Sequence, residues 1–419
     1  MHNYCIATYR YFDNKCDFHK KAQSIAIGLT VGTWTELPEL EKKQMEKHLG
    51  QVVAVHVHEC EMNMPPEYVQ SNPLATERYA DIQIAYPDLN YSCDIPALLV
   101  TVFGKLSMDG RIKLMDLELS DHFLSHFSGA KFGIGGVRRL LGVPHRPLLM
   151  SIFKSVIGYD LIDLRKQFYA QAAGKVDLIK DDEILFENPL TPIEKRVEIC
   201  MQAAKQASQE TGQHLLYAVN LTGPTSKLAS QAKKAINAGA NALLFNVLAY
   251  GFDMLHELSA DAEIQVPLVA HPALAGMMYP SVHHGISASL LLGKLMRIAG
   301  ADLVLFPSAY GSVVMPREET IAIKHALTTP ELARHLNSCF PVPSAGIHPG
   351  LVSRIVQDFG RDVVINAGGG IHGHPLGTIA GGIAFHQAIE ATENHISLLE
   401  YAATHRELQA AITAWGDAS

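Results

Sequence analysis

The residues best suited to chemistry stand close together at 176–183, Val-Asp-Leu-Ile-Lys-Asp-Asp-Glu, where an apolar run ends in one cation and several carboxylates. A β-strand sends alternate side chains to the same face, so Lys180 and Asp182 are expected to point together, with Glu183 just past the strand end. Carboxylates gathered there suit a hard cation such as Mg²⁺, which takes oxygen ligands and keeps several waters. A lysine joins such a set only when CO₂ converts its amine to a carbamate. The alternative is a solvated acidic turn, the ordinary fate of a charged cluster. What separates the two is the kind of element that carries the stretch.

From Arg146 onward one rhythm dominates. Apolar β-like runs at 148–153, 176–179, 215–220, 242–247, 267–270, 301–306, 341–344 and 362–366 alternate with amphipathic helical stretches. The helical stretches are 160–173, 191–209, 226–238, 252–262, 286–299, 317–326, 350–359 and 378–391, and Thr191 and Pro192 offer an N-cap and a first helical residue. Eight β/α units favour a closed parallel barrel over an open sheet. The fold class is therefore α/β: a C-terminal (β/α)₈ TIM barrel over 131–419, preceded by a small α+β domain over 1–130. In the latter, 51–58, 82–86 and 112–119 read as strands, 39–47 as a helix and 61–76 as a loop. Two of its patches stand out, Gly32-Thr33-Trp34-Thr35 and Lys105, which follows the apolar run 97–103.

Catalytic groups of such a barrel sit where the strands end. Those ends carry Lys154, then Lys180, Asp182 and Glu183, then Asn220 and Thr222, then His271 followed by Pro272. The seventh gives Ser344-Ala345-Gly346, and the eighth Gly368-Gly369-Gly370 with His372 and His374. Glycines there let backbone N–H groups approach an anion, the usual phosphate position of this fold. His271 is a candidate for contacting a substrate oxygen or a satisfied structural histidine. His372 and His374 suit supporting roles, because imidazole is a poor Mg²⁺ ligand.

The chain has 419 residues and a net charge of −8, which argues against a nucleic-acid-binding face. No apolar run reaches the length of a membrane span, and the first residues lack the pattern of a signal peptide. Six scattered cysteines without a CxxC pair read as reduced thiols of a cytoplasmic protein.

Lys180-Asp181-Asp182-Glu183 resembles the activation motif of the RuBisCO large chain, whose lysine is carbamylated and binds Mg²⁺ with the following Asp and Glu. The likeness extends through Gly32-Thr33-Trp34-Thr35, Ile84-Ala85-Tyr86-Pro87, Lys154, Ser344-x-Gly346 and Gly368-Gly369. Several positions depart from the carboxylases. Val156 stands at the place of a second lysine, the loop 307–313 has no lid lysine, and Pro272 and Leu305 replace the groups that grip a second phosphate. The chain therefore resembles a RuBisCO-like protein that keeps one phosphate site and lacks the apparatus for CO₂ fixation. The stretches 28–32, 101–107, 146–154 and 343–350 resemble the enolase branch that serves methionine salvage, although Pro224 stands where that branch leads one to expect arginine.

The resemblance implies Mg²⁺ on carbamylated Lys180, Asp182 and Glu183, and Lys105 as general base. It implies Lys154, His271, Ser344, Gly346, Gly368, Gly369, Thr33 and Trp34 as substrate contacts. The substrate would be a phosphorylated diketone with a methylthio tail. The assembly would be a homodimer in which the N-terminal domain of one subunit completes the barrel site of the other. The rival readings are an enolase or isomerase of another phosphorylated ketone, a true carboxylase, which the missing lid lysine and second phosphate grip disfavour, and a non-catalytic protein that binds a phosphate ligand.

Overall fold

The computed structural model describes residues 3–32, 46–60, 73–330 and 334–418. The chain divides into two units, Met1–Phe127 with Leu274–Leu291, and Ser128–Ala273 with Leu292–Ser419. The expected helix at 39–47 falls almost wholly outside the described residues, as does most of the loop 61–76.

In the first unit the strand Tyr4–Phe12 lies at the centre of a five-stranded sheet, ordered Gly285–Ile286, Ile112–Glu118, Tyr4–Phe12, Tyr79–Pro87 and Gln51–His58. It runs antiparallel to both neighbours. Cys5, Ala7 and Tyr9 are fully buried along it, the period of two that one covered face imposes. On the other face Arg10 makes a bidentate bond to Asp81, its cross-strand partner, with both distances 2.8 Å. The helix Phe18–Gly28 buries Phe18, Ala22, Ile25 and Ala26 in one stripe, and Asp17 caps it by accepting from the N–H groups of His19 and Lys20. The stretch between the fifth and sixth barrel strands joins this sheet, because Gly285–Ile286 pairs in parallel with Lys113 and Leu114.

The second unit contains the eight expected β runs as one all-parallel sheet. Its strands are Leu148–Ile152, Leu178–Lys180, Leu216–Leu221, Ala242–Asn246, Leu268–His271, Leu303–Pro307, Phe340–Ser344 and Val364–Ala367. Seven adjacent pairs are hydrogen-bonded in ladder register. The seventh and eighth strands, at the two ends of that series, lie against one another and bring the sheet round into a barrel. Helices follow the strands at Leu161–Ala173, Ile193–Thr211, Leu228–Asn237, Phe252–Ala260, Leu295–Ala299, Arg317–Thr328, Val352–Phe359 and Thr378–Glu393.

The barrel interior is an apolar core built from alternate strand residues. Leu148 and Met150, Leu216 and Ala218, Ala242 and Leu244, Leu303 and Leu305, and Phe340 and Val342 contribute in pairs. Val137 and Leu141 of the helix Gly133–Leu141 join it, with Phe132, Ile134 and Val143 packed alongside. Because the strand residues concerned lie early in their strands, that helix plugs the N-terminal end of the barrel.

One local expectation fails. Thr191 does not cap the helix Ile193–Thr211, whose flanking position is Pro192 with no side-chain cap. The Glu187 carboxylate accepts from Ile193 N at 3.0 Å instead, while the Thr191 hydroxyl accepts from Asn188. A longer side chain from the preceding loop reaches the free N–H that Thr191 would have served.

Candidate active site

Two residues beyond the apolar core positions, the inward face of six of the eight strands becomes polar. Leu178 is followed at that spacing by Lys180, Ala218 by Asn220, Leu244 by Asn246, Val269 by His271, Val342 by Ser344 and Val364 by Asn366. The period of two that fills the core thus also lays down a ring of hydrogen-bonding groups at its C-terminal mouth. Asn246 and Asn366 escaped the sequence reading, although counting two onward from the inward apolar residues would have found both.

Lys180 is the last residue of its strand and only 1% exposed. Its Nζ donates to the Asp181 carbonyl at 3.0 Å and stands 3.6 Å from Glu183 Oε2. Burial pushes its amine down to about 8, against the pull of Glu183 and Asp182 and with some help from Lys154. Asp182 accepts from Lys154 Nζ at 2.9 Å. Glu183 remains below the usual carboxylate range despite partial burial, chiefly because of the nearby Lys180. Its backbone carbonyl is fixed by Asn220 Nδ2 at 2.9 Å and Asn246 Nδ2 at 3.3 Å.

Asp181, between these groups in sequence, faces the other way. It accepts from Tyr217 Oη at 2.7 Å and Asn220 N at 2.9 Å, and pairs with fully buried Arg196 at 3.2 Å. It anchors the strand to the helix Ile193–Thr211 and leaves Asp182 and Glu183 free for the mouth.

His271 Nδ1 accepts from Ala273 N at 3.2 Å, and Nε2 lies 3.5 Å from Glu183 Oε2. Burial, reinforced by Lys180, holds its pKa well below the ordinary imidazole value, so the ring is neutral with its proton on Nε2. His372 and His374 are held by backbone groups: His372 Nε2 meets the Ile152 carbonyl at 2.8 Å, and His374 Nε2 the Glu407 carbonyl at 2.9 Å.

The glycine positions line the same mouth. Gly346 has φ +71°, and a Cβ there would come within 2.5 Å of Ser312 N, so only glycine fits. Gly368 lies under the Lys154 stem, whose carbons would stand 3.1–3.2 Å from an added Cβ, whereas Gly369 faces open space. Gly369–His372 is a short helical turn, and the first N–H groups of such a turn have no acceptor within it. Ser344 Oγ accepts from Asn366 Nδ2 at 2.9 Å, a bond between the seventh and eighth strands. Lys154 therefore joins the carboxylate cluster to the glycine turn at Gly368. Pro224 begins the turn Thr225–Lys227, with Lys227 N donating to its carbonyl at 2.9 Å.

These donors fit a hard divalent cation. Asp182 and Glu183 supply carboxylate oxygens, and Lys180 would add another as a carbamate. Its lowered amine basicity makes available the neutral form that attacks CO₂, forming the N–C bond of the carbamate with loss of the nitrogen's proton. The buried Asn246 Oδ1 and Asn366 Oδ1 have no hydrogen-bond partner, and such acceptors suit bound water or substrate.

Lys105 belongs to the first unit and is exposed. It follows the wide turn Val100–Gly104, which is anchored by buried Tyr9: the phenol donates to the Val102 carbonyl at 2.6 Å and its ring stacks on Phe103. Lys105 lines a cavity of ≈ 720 Å³ with Gly28, Gly32 and the Lys21–Asp109 ion pair. Thr33 and Trp34 lie outside the described residues.

Residues 133–415 match the family described as ribulose bisphosphate carboxylase large chain, catalytic domain. The chain is 52% identical over 417 residues to the 2,3-diketo-5-methylthiopentyl-1-phosphate enolase of Geobacillus thermodenitrificans (strain NG80-2), covering 98% of both chains. Among solved structures it is similar to a rubisco-like protein (MtnW) from Alicyclobacillus acidocaldarius subsp. acidocaldarius DSM 446, at 45% identity and a TM-score of 0.89, with 99% of each chain covered. It is also similar to the dimeric archaeal Rubisco from Hyperthermus butylicus, at 27% identity and a TM-score of 0.84, covering 99% of this chain and 96% of the other.

Proposed function

The chain belongs to the ribulose bisphosphate carboxylase large-chain family, and from that premise we propose that it enolises 2,3-diketo-5-methylthiopentyl-1-phosphate. The product would be 2-hydroxy-3-keto-5-methylthiopentenyl-1-phosphate, formed in methionine salvage by an intramolecular isomerisation without CO₂ fixation. The observation that carries this reading is identity above one half, along almost the whole chain, to enolases named for that substrate.

The mouth chemistry supports it. Lys180 as its carbamate, Asp182 and Glu183 would hold Mg²⁺, which when bound supplies Lewis-acid polarisation of the diketone oxygens. Ser344, Gly346, Gly368 and Gly369 take the single phosphate, and Pro272 and Leu305 leave the far end without a cationic grip, as a methylthio tail requires. Lys154 and the Nε2–H of His271 donate to substrate oxygens. Lys105 takes a proton from the carbon bearing the phosphate ester, and the neighbouring carbonyl oxygen gains one, so the step is a net tautomerisation. To act as base Lys105 must present a neutral amine. Because it is exposed on its own chain, we assign it, with Thr33 and Trp34, to the barrel of a second subunit in a homodimer.

Among the described residues no helix is long and apolar enough to cross a membrane, and the cysteines are free thiols. Both fit our assignment to the cytoplasm. The test is turnover of the diketone, followed by enol absorbance with and without Mg²⁺ and bicarbonate. Turnover requiring both is expected. No turnover with both present would move the chain to another phosphorylated ketone.

A further inference from the structure

A second set of ligand-type side chains stands in the first unit and includes none of the residues assigned above. Cys93, His122 and His126 bring one ligand atom each to within 4.8 Å of one another, and among the described residues no other three His, Cys, Asp or Glu side chains do so. Cys93 Sγ lies 3.7 Å from His122 Nε2. A tetrahedral ion with Zn–S near 2.3 Å and Zn–N of about 2.0–2.1 Å sets sulfur and nitrogen about 3.6 Å apart. The observed separation is already that of two ligands on one ion.

Local sequence builds the support for these side chains. Asp94 caps Ile95–Leu99 by accepting from Ala97 N at 2.7 Å and also holds the Ser92 hydroxyl, which fixes the residue on each side of Cys93. Ser120 caps Asp121–Leu124, accepting from Phe123 N at 2.9 Å, and donates to Asp88 Oδ2 at 2.5 Å. That bond ties the turn leading to Cys93 to the helix bearing His122. The Tyr91 and Phe123 rings pack edge to face across the same junction. His126 Nδ1 stands 3.0 Å from the His122 carbonyl. Donation there leaves the Nε2 lone pair free, the outer hydrogen bond that metal-bound imidazoles ordinarily make. Cys93 is half-buried and both imidazoles are exposed, so solvent ions reach the group. Burial, with Asp88 and Asp94 nearby, pushes the Cys93 thiol above its ordinary range, so an ion bound there must displace its proton.

We propose that Cys93, His122 and His126 form a binding site for Zn²⁺ or a similar borderline-soft divalent ion, with a fourth position open to water or an external ligand. Thiolate and imidazole ligands select such ions, whereas the oxygen donors of the barrel mouth select Mg²⁺. The two sites therefore take different metals, and this one does not depend on the reaction assigned to the barrel.

Full-length protein stripped by a chelator and titrated with Co²⁺ tests the site. The expected result is near-ultraviolet absorption from a cobalt–thiolate bond, with the visible bands of tetrahedral cobalt, all discharged by Zn²⁺. Cys93→Ser is expected to abolish the thiolate band. His126→Ala is expected to weaken Zn²⁺ binding by about 100-fold or more, since losing a ligand costs at least what losing an outer partner does. Mg²⁺-dependent turnover is expected to be unchanged in both variants. The absence of a thiolate band in the unaltered protein would overturn the proposal. So would a band retained in Cys93→Ser, or a Zn²⁺ affinity unchanged in His126→Ala.

Discussion

Lys180 sits where its amine can exist either as a cation paired with Glu183 or as a nucleophile. Burial lowers its pKa to about 8 from the ordinary 10.5. Below that pH the ammonium predominates, and each unit of pH raises the neutral fraction about tenfold until it saturates. In metal-free protein at fixed ¹³CO₂ pressure, the initial rate of carbamate formation is therefore expected to rise about tenfold per pH unit up to about pH 8 and then level off. NMR detection of the carbamate measures it, with Lys180→Ala as the blank, and a rate flat from about pH 6 to about pH 9 would contradict the assignment. Lys105 carries a different kind of claim. Replacing it by alanine is expected to lower kcat by about 10²–10⁴, the usual value of a positioned base, with a smaller change in KM. A Lys105→Ala enzyme with full kcat would remove the base from the mechanism. Residue types at the mouth were legible because strand ends concentrate them. Asp181 shows what alternation adds: it is chemically identical to Asp182 but turned to Arg196 and Tyr217.

The barrel strands were legible because each is buried on both faces and reads as a short continuous apolar run. Tyr4–Phe12 was not, although it is the centre of its sheet. Its buried positions include a cysteine and an alanine, and its other face carries Thr8 and Arg10, so no apolar run marks it. Its place is set by pairing with two strands distant in sequence. Asp302, just before the sixth barrel strand, is a further tertiary device that sequence does not announce. Its carboxylate accepts from the N–H groups of Phe132, Gly133 and Leu268, each at 2.8 Å, pinning the plug helix to the barrel floor. Asp302→Ala strands three donors and is expected to cost about 3 kcal/mol or more in urea unfolding. Burial outweighs those hydrogen bonds and pushes the carboxyl up to about 6 from 3.8. The folded state therefore binds this proton more tightly than the unfolded one. The resulting stabilisation is full below the unfolded pKa and is lost as pH rises through the folded value, about 2–3 kcal/mol in all. Unfolding free energies of wild type and Asp302→Asn, compared from about pH 4.5 to about pH 7, are expected to show the wild type losing ground as pH rises. A pH-independent difference would contradict this.

At the scale of the whole molecule, the proposed base and the proposed metal cluster are carried by different units of the chain, and the homodimer reading places them on different subunits within one site. This has an arithmetic consequence that activity alone can reveal. Lys105→Ala homodimers lack the base at every site, and Lys180→Ala homodimers lack the carbamate at every site. In a mixed dimer, one site combines the intact barrel of the Lys105→Ala subunit with the intact N-terminal unit of the Lys180→Ala subunit, and is complete. The other site lacks both groups. Random exchange between equal amounts makes about half of the dimers mixed, each with one working site in two. The mixture is then expected to regain about a quarter of wild-type turnover, given a two-fold dimer with reciprocal sites. Sites built wholly within one chain would instead leave the mixture as inactive as its parents. Subunit exchange can be followed independently by mass spectrometry of differently tagged chains. Mixed dimers formed in full but without activity would therefore remove the shared site, while leaving the enolase reaction itself to be judged on its own assay.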